Sequence, residues 1–275
     1  MNQETKNGQY LINGQESSGL SALDRGLSYG DGVFRTVLVK ESVPQHWDLQ
    51  YQKLAEDCQV LNISCPSEDV LLQDIRTLFD GKLDGVAKII VTRGESARGY
   101  AYPADIRANR VVIKSQSPAY LATNQTHGVN LHLCQLRLGL QPKLAGVKHL
   151  NRLENVLART EWNDVNIADG LLLDLNENVI ECTMSNIFAR FGKDLITPSL
   201  EKSGVAGTAR ELIIRNVAQF NLTVKVESMS LDKLMQADEV IICNSLLGAW
   251  QVVNLNGKQW AKQKLDAQLR EMLLN

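Results

Sequence analysis

Paired cysteines, excess basic charge and long apolar runs are all missing from this chain of 275 residues. The five cysteines are scattered singly without a CxxC pair, which predicts reduced thiols rather than a disulfide scaffold or a zinc site. The formal net charge of -2 gives no basic field for nucleic acid. The four histidines show neither HxH nor HExxH spacing, so no metal site is predicted. These shortages favour a small molecule as the ligand.

Membrane and secretion signals are also lacking. No stretch approaches the roughly 20 apolar residues of a membrane span, and the opening MNQETKNGQYLING has no basic segment followed by an apolar one. We therefore expect a cytoplasmic protein without a membrane partner. With 44% hydrophobic residues, the chain has enough apolar surface for one large domain or, more comfortably, two.

The first part of the chain predicts an α+β domain over residues 1–115. A short strand around Tyr10–Ile12 precedes an Asn-Gly turn, and the glycine-rich loop DRGLSYGDG runs into a strand over 33–39. Helical spacing predicts helices over 48–61 and 67–79. The stretches VAKIIVTRG and RVVIKSQ are typical of strands.

The polar, proline-interrupted stretch SQSPAYLATNQ predicts an interdomain linker at 116–125. A second domain is then expected over 126–275. Its strands are predicted in VNLHLCQLRLG, in the long run GLLLDLNENVIECTMSNIFARFGKDLITP, and in ADEVIICNSLLGAWQVV, with a helix over 208–220. No internal repeat is present, so the chain is the size of a two-domain enzyme rather than an array.

The stretch GVKHLNRLENVLART at 146–160 predicts a helix with Lys148 at its N-terminal end. Leu150, Leu153, Val156 and Leu157 recur at helical spacing, so we expect their common face to be buried. A cation is disfavoured at the positive end of a helix, whereas a neutral amine is comparatively favoured. A neutral amine is the state that a nucleophile needs.

Three segments carry complementary chemistry: Lys148, Glu181 in VIECTMSNIF, and GVAGTARELI from Gly204 onward. A lysine amine can form a Schiff base, a carboxylate can keep a heteroaromatic nitrogen protonated, and a glycine-threonine turn that opens a helix can bind phosphate. These are the requirements of pyridoxal phosphate. Each residue also has an ordinary interpretation, as a surface lysine, a solvated strand glutamate and a plain helix cap, so the residues alone permit the cofactor without singling it out.

The stretches LING, DRGLSYGDGVFRT, TRGESARGY, LAGVKHLNRLENVLAR, VIECTMSNIF, GVAGTARELI and ADEVIICNSLLG occur in this order over nearly the whole chain. In this the sequence resembles the fold-type IV pyridoxal-phosphate enzymes, which include branched-chain and D-amino-acid aminotransferases and 4-amino-4-deoxychorismate lyases. RGESARGY and GVKHLNRLENVLAR are most similar to the lyase branch. The resemblance implies a lyase that forms 4-aminobenzoate and pyruvate. An aminotransferase on the same scaffold is the alternative, and a non-catalytic binding module is a third.

The resemblance also implies roles for particular residues. Lys148 would form the Schiff base with pyridoxal phosphate and shuttle protons, and Glu181 would pair with the pyridine nitrogen. The cofactor phosphate would be met by a turn and by a second loop, which contribute Gly207, Thr208, Ala209 and Ser245. The implied fold is α+β, with a small α/β N-terminal domain and a larger strand-rich pseudo-barrel C-terminal domain, usually as a homodimer.

One position departs from the family pattern. Where the family has a histidine, two residues and then a phosphate-binding arginine, this chain has Gln50 and Lys53. Lys53 can supply a point charge but not the planar, two-pronged geometry of a guanidinium. We therefore expect Lys53 to contact the phosphate, with weaker cofactor retention; the alternative is a solvated helix lysine.

The substrate side is predicted from charge and position. The implied substrate carries two carboxylates, so an arginine is expected near it, and Arg98 in ARGY is our first choice. Arg93 is expected to brace the same loop, and an ordinary surface salt bridge is the alternative for either arginine. Tyr29, Arg35 and Thr36 lie in or just after the glycine-rich loop, where we expect Tyr29 and Arg35 to face the substrate. Thr36 is either a catalytic proton relay or half-buried packing.

Overall fold

The computed structural model describes residues 9–16 and 19–274. Its strands are β1 (Tyr10–Ile12), β2 (Gly32–Lys40), β3 (Val43–Pro44), β4 (Gly85–Thr92), β5 (Asn109–Ser115), β6 (Val129–Leu138), β7 (Ile167–Asp174), β8 (Val179–Cys182), β9 (Asn186–Phe191), β10 (Asp194–Pro198), β11 (Thr223–Glu227), β12 (Glu239–Asn244), β13 (Gly248–Leu255) and β14 (Lys258–Gln259). Its helices are α1 (Arg25–Tyr29), α2 (Trp47–Val60), α3 (Glu68–Leu78), α4 (Ala122–Thr126), α5 (Leu153–Arg159), α6 (Thr208–Asn216), α7 (Leu231–Met235) and α8 (Leu265–Leu274). The chain is therefore of the predicted mixed α+β class.

The first of two compact units is an antiparallel sheet with two helices. Its strands follow the order β1-β5-β4-β2-β3, and α2 packs against β2 while α3 packs against β5. Alternate residues of β2 are buried, as expected for a strand with one face on a core: Val33, Arg35, Val37 and Val39. The strand predicted over 33–39 is therefore confirmed as part of β2.

This first unit comprises the described residues up to Pro118 and also a short distant segment, Lys148–Asn151. The segment belongs here because it pairs with β2. The Phe34 N–H donates to the Lys148 carbonyl at 2.9 Å, and the Leu150 N–H donates to the Gly32 carbonyl at 2.9 Å. Lys148 is thus fixed to the first unit by backbone hydrogen bonds.

The second unit comprises Ala119–Val147 and the described residues from Arg152 onward. It is built on a sheet of nine strands in the order β11-β10-β9-β12-β13-β6-β7-β8, with β14 paired to β13. Strand β12 is buried on both faces: Val240 and Ile242 belong to one core with Trp250, while Ile241 packs with Leu269 of α8 in another. A strand covered on both faces has no polar alternation, which explains the continuous apolar run VIIC at 240–243.

The predicted helix over 146–160 is wrong in its first half. Residues 146–152 are not helical, Gly146 and His149 form isolated β-bridges, and α5 begins only at Leu153, because the Lys148 backbone is engaged with β2. The argument from the helix dipole therefore does not apply to Lys148. The predicted burial is wrong too: Leu153, Val156 and Leu157 are 74%, 56% and 58% exposed.

Two further differences concern loops. DRGLSYGDG contains the short helix α1, whose N-terminal Gly26 N–H donates to the Asp24 carboxylate at 2.8 Å and which ends at Gly30 in the left-handed conformation. The helix over 208–220 is α6 followed by a 3-10 turn at Val217–Phe220.

The predicted domain boundaries (1–115, 116–125 and 126–275) remain a prediction. The compact units divide after Pro118, α4 occupies part of the expected linker, and Lys148 is grouped with the first unit rather than the second. Among the described helices, none is both long and apolar enough to cross a bilayer.

Candidate active site

The residues predicted to form the site fall into two groups, one in each compact unit. The first unit holds Tyr29, Arg35, Thr36, Lys53, Arg98 and Lys148, and the second holds Glu181, Gly207, Thr208, Ala209 and Ser245. Each group is described within its own unit.

Lys148 is held from two directions. Its carbonyl oxygen accepts the Phe34 N–H from β2, and its own N–H donates to Asp57 Oδ2 of α2 at 3.2 Å. The Lys148 Nζ lies 4.7 Å from the centroid of the Phe34 ring, within range of a cation–π interaction. Both peptide groups of Lys148 are therefore engaged, and its side chain starts from a fixed position.

Arg35 is buried and paired inside the first unit, and its predicted contact with substrate remains a prediction. Only 2% of Arg35 is exposed, and its Nη2 donates to Asp57 Oδ2 and, at 3.1 Å, to the Lys53 carbonyl. Burial lowers the pKa of Arg35, and burial likewise raises the pKa of Asp57 although Arg35 opposes that shift. Arg35 and Asp57 thus form an internal ion pair.

Thr36 is half-buried on β2. Successive strand side chains alternate between faces, so Thr36 shares its face with Phe34, the residue whose ring lies beside Lys148 Nζ. This position agrees with the predicted proton relay and equally with packing. The relay therefore remains a prediction.

Lys53 lies half-buried on α2, where its Nζ pairs with Glu56 Oε2 at 3.1 Å. Gln50, at the position of the family histidine, is buried one turn earlier. Contact between Lys53 and a phosphate remains a prediction.

The loop that carries Arg98 is held by residues that the sequence analysis missed. Arg25 donates to Ser96 Oγ, to the Gly99 carbonyl and to the Tyr100 carbonyl, each at 2.9 Å. Arg98 itself is exposed. Tyr29 contributes its hydroxyl, which accepts the Gly99 N–H at 3.2 Å. Tyr29 therefore supports the loop through this hydrogen bond. Contact of Tyr29 or Arg98 with substrate remains a prediction.

Asp31 joins two arginines at the base of this loop. Its carboxylate accepts two hydrogen bonds from Arg93, at 2.7 and 3.0 Å, and one from Arg25 at 2.9 Å. Burial alone raises the pKa of Asp31, but hydrogen bonds from Arg93 and Arg25 more than offset burial and hold the pKa below its usual value. Arg93 also donates to the carbonyls of Leu61 and Asn62, and its bracing of the loop that carries Arg98 remains a prediction. In the sequence, Asp31 stands out only as the acidic residue of the motif GDG. That motif does not show that Asp31 pairs with Arg25 and Arg93.

In the second unit, Glu181 on β8 is 4% exposed and its Oε2 accepts the Val205 N–H at 2.8 Å. Asn186 binds the same stretch, because its Nδ2 donates to the Val205 carbonyl at 2.8 Å and its Oδ1 accepts the Gly207 N–H at 3.2 Å. The turn that precedes α6 is thus clamped to the strands that carry Glu181 and Asn186. Asn186 is a further residue that the sequence analysis missed.

The predicted phosphate turn opens α6. Gly207 is the N-cap residue without a side-chain cap, and Thr208 and Ala209 are buried in the first helical turn. A helix N-terminus offers backbone N–H groups and a positive dipole end, the donor set that a phosphate needs. A Cβ on Gly207 would lie 2.4 Å from Asn186 Oδ1, so only glycine leaves this turn undisturbed. The residues present therefore fit a phosphate group.

Ser245 is half-buried in the turn after β12. The preceding residue, Asn244, accepts the N–H groups of Leu246 and Leu247 at 2.8 and 2.9 Å and donates to the Met184 carbonyl at 3.1 Å. The Ser245 turn is thereby linked to the loop that follows Glu181. The second unit consequently gathers all of its predicted cofactor residues in one hydrogen-bonded framework.

The chain matches the family model described as amino-transferase class IV over residues 32–255, and it belongs to that family. The curated aminodeoxychorismate lyase of Vibrio harveyi is 35% identical over 265 residues, which cover 94% of each protein. A crystal structure of 4-amino-4-deoxychorismate lyase from Pseudomonas aeruginosa has a TM-score of 0.92 at 39% identity, and the match covers 96% of this chain and 97% of that one. A putative branched-chain-amino-acid aminotransferase of Methanocaldococcus jannaschii is 27% identical over 258 residues, or 92% of this chain and 87% of its own.

These similarities confirm the predicted fold type IV and its two-domain α+β class. Members of this family are pyridoxal-phosphate enzymes, so the cofactor inferred from the sequence is confirmed as well. The amine of Lys148, the buried carboxylate of Glu181 and the N-terminus of α6 have the donor chemistry that this cofactor requires. The role of each individual residue remains a prediction.

Proposed function

We propose that the protein is a pyridoxal-phosphate-dependent aminodeoxychorismate lyase, which converts 4-amino-4-deoxychorismate to 4-aminobenzoate and pyruvate in folate biosynthesis. The observation that carries the proposal is the near full-length similarity to two such lyases at 35% and 39% identity, against 27% for the aminotransferase relative. The lysine, glutamate and phosphate turn needed for the cofactor are all present.

Pyridoxal phosphate, when bound, supplies an aldehyde that takes up amino groups and a protonated ring that accepts electrons from the bond being broken. Lys148 would hold the cofactor through its side-chain amine. Glu181 keeps a proton on the ring nitrogen, and its own orientation is fixed by the Val205 N–H. The turn that begins at Gly207 would hold the phosphate through the backbone N–H groups of Thr208 and Ala209, since the Gly207 N–H already donates to Asn186. The hydroxyls of Thr208 and Ser245, together with Lys53, would be further donors.

Once substrate is bound and the amine of Lys148 no longer holds the cofactor, that amine would remove the proton at C4. The enolpyruvyl group leaves and gains a proton to become pyruvate, and the ring becomes aromatic. Aromatisation drives the step, so the protein chiefly positions the amine and the leaving group. Arg98 and Tyr29 face the substrate carboxylates, and Thr36 passes protons near Lys148.

Lys148→Ala is expected to abolish lyase turnover, because the amine that holds the cofactor and moves the C4 proton is gone. The matched control is Lys88→Ala, since the Lys88 Nζ also lies beside the Phe34 ring, at 5.2 Å, but on an exposed side chain. Borohydride reduction followed by peptide mapping should place a pyridoxyl group on Lys148 and none on Lys88. Normal turnover by Lys148→Ala would overturn the proposal.

The second candidate is a branched-chain or D-amino-acid aminotransferase, favoured by the 27% identical aminotransferase relative. It would use the same Lys148 and Glu181 but needs a 2-oxo acid to complete its cycle. Product analysis separates the two functions. Pyruvate released from aminodeoxychorismate without a second substrate supports the lyase, and amino transfer that depends on a 2-oxo acid supports the aminotransferase.

We further propose a cytoplasmic homodimer. The exposed apolar face of α5, formed by Leu153, Val156 and Leu157, supports the dimer, because apolar side chains at helical spacing favour a partner over water. Five free cysteines agree with a reducing compartment.

A further inference from the structure

Asp57 lies at the meeting point of three groups in the first unit. It is carried by α2, is 5% exposed, and its Oδ2 accepts hydrogen bonds from the guanidinium of Arg35 and from the backbone N–H of Lys148. Arg35 is held in turn, because its Nη2 also donates to the Lys53 carbonyl at 3.1 Å. A buried ion pair is therefore attached directly to the backbone of the lysine.

A purely structural role does not account well for this pair. Moving two charges from water into the protein interior commonly costs more free energy than their mutual attraction recovers. Well-packed apolar side chains of similar volume stabilise the fold as well or better. The second hydrogen bond to Asp57 is the distinguishing feature, because it comes from the residue with the most important chemistry in the unit.

The two fixed points of Lys148 are complementary. Strand β2 holds the carbonyl on one side of its Cα through the Phe34 N–H, and Asp57 holds the N–H on the other side. With both neighbouring peptide groups held, the backbone dihedral angles at Lys148 are fixed and so is the direction in which the side chain leaves. Strand pairing alone would fix only one of the two.

We propose that the Asp57–Arg35 pair is a positioning device for Lys148: Asp57 anchors the lysine's backbone N–H, and Arg35 keeps Asp57 charged and oriented for that purpose. This inference rests on the proposed function, in which Lys148 is the catalytic amine. Asp57 and Arg35 are positioning residues, since both act through Lys148.

The experiment compares the kcat and KM of reconstituted wild type, Asp57→Asn, Arg35→Gln and the double variant. Each single variant leaves one buried charge without its partner, so we expect kcat to fall by about 10- to 100-fold with KM within about twofold. The double variant replaces the ion pair by two amide side chains. The amide oxygen that Asp57→Asn introduces can still accept the Lys148 N–H. Its kcat is expected within about fivefold of wild type, far from the product of the two single effects.

The matched control is Asp74→Asn. Asp74 is another buried carboxylate of the same unit, paired with Arg110 at 2.7 Å, but on α3. Asp74→Asn should lower the free energy of unfolding without a comparable change in kcat. If a single variant does not fold, Asp57→Glu decides, because it keeps the charge but displaces the acceptor from the Lys148 N–H. A kcat at least tenfold lower supports the inference, and an unchanged kcat overturns it.

Borohydride labelling of Lys148 in the wild type separates the two levels of the argument. If Lys148 is labelled but Asp57→Asn and Asp74→Asn have equal kcat values, the Asp57–Arg35 pair has only a structural role. The proposed function would still stand. Without the label on Lys148, the proposed function fails and the positioning role fails with it.

Discussion

The proposed contact between Lys53 and the cofactor phosphate can be tested by two substitutions. An ammonium group contacts phosphate as a point charge, whereas a guanidinium donates two parallel hydrogen bonds. We expect Lys53→Arg to tighten binding of pyridoxal phosphate roughly tenfold and Lys53→Met to weaken it by a similar factor. Fluorescence titration of the apoprotein measures both. An unchanged dissociation constant in both variants would remove Lys53 from the phosphate site.

Asp31 predicts how the first unit responds to acid. Its folded pKa is lower than its unfolded pKa, so the unfolded state binds the proton more readily. The stability that Asp31 contributes is therefore complete above about pH 4 and is lost as the pH falls through the folded pKa. We expect Asp31→Asn to cost about 1–3 kcal/mol at pH 7 and less at pH 3.

Urea unfolding at the two pH values checks this expectation. The exposed loop residue Asp105 supplies the control variant, Asp105→Asn, which should change little at either pH. A loss in Asp31→Asn that is the same at pH 3 and pH 7 would contradict the role assigned to its charge.

The predictability of single residues depended on whether their partners were visible in the sequence. Arg35 has the same parity as Val33, Val37 and Val39, so strand alternation already placed it on the buried face, yet its position after the glycine-rich loop favoured a substrate role. Its partner Asp57 lies 22 residues away on another element. A pattern of spacing shows which face a residue occupies but not which charge it meets there.

At the level of elements, the turn before α6 depends on the absence of a side chain. Gly207 has an ordinary φ of −72°, which alanine also adopts, so the effect of Gly207→Ala is purely steric. Its Cβ would lie 2.4 Å from Asn186 Oδ1 and displace the amide that holds Val205 and Gly207. We expect the affinity for pyridoxal phosphate to fall about tenfold or more.

Gly139→Ala is the matched control for that measurement. A Cβ there would meet only the end of the flexible Glu154 side chain, at 3.2 Å. Equal cofactor affinity in Gly207→Ala and the wild type, by the same titration, would show that the turn can adjust without loss.

Among the elements, strands were easier to predict than the lysine helix. Strands β2, β4, β5 and β6 agree with their predicted ranges, because alternation and β-branched residues act locally. The stretch 146–160 has helical spacing throughout, but tertiary pairing of Lys148–Leu150 with β2 keeps that part out of the helix. Apolar spacing also cannot distinguish a face buried in its own chain from a face offered to a partner.

For the molecule as a whole, the apolar face of α5 predicts the assembly state. Leu157→Asp should leave the folded chain intact, because the side chain is 58% exposed, and should dissociate the dimer. Light scattering is expected to give twice the 30.6 kDa chain mass for the wild type and the single mass for the variant. Leu175→Asp, at a residue 63% exposed in the turn after β7, is the control and should remain dimeric. A monomeric wild type would contradict this expectation.

The pairing of Lys148–Asn151 with β2 also sets an order of events during synthesis. Residues up to Pro118 can emerge from the ribosome as a chain with a sheet of its own, but Phe34 N–H and the Gly32 carbonyl meet their partners only after residue 150 has been made. The nascent first unit therefore lacks Lys148. If Lys148 holds the cofactor as proposed, the chain can bind pyridoxal phosphate there only after Ala119–Val147 of the second unit has been translated.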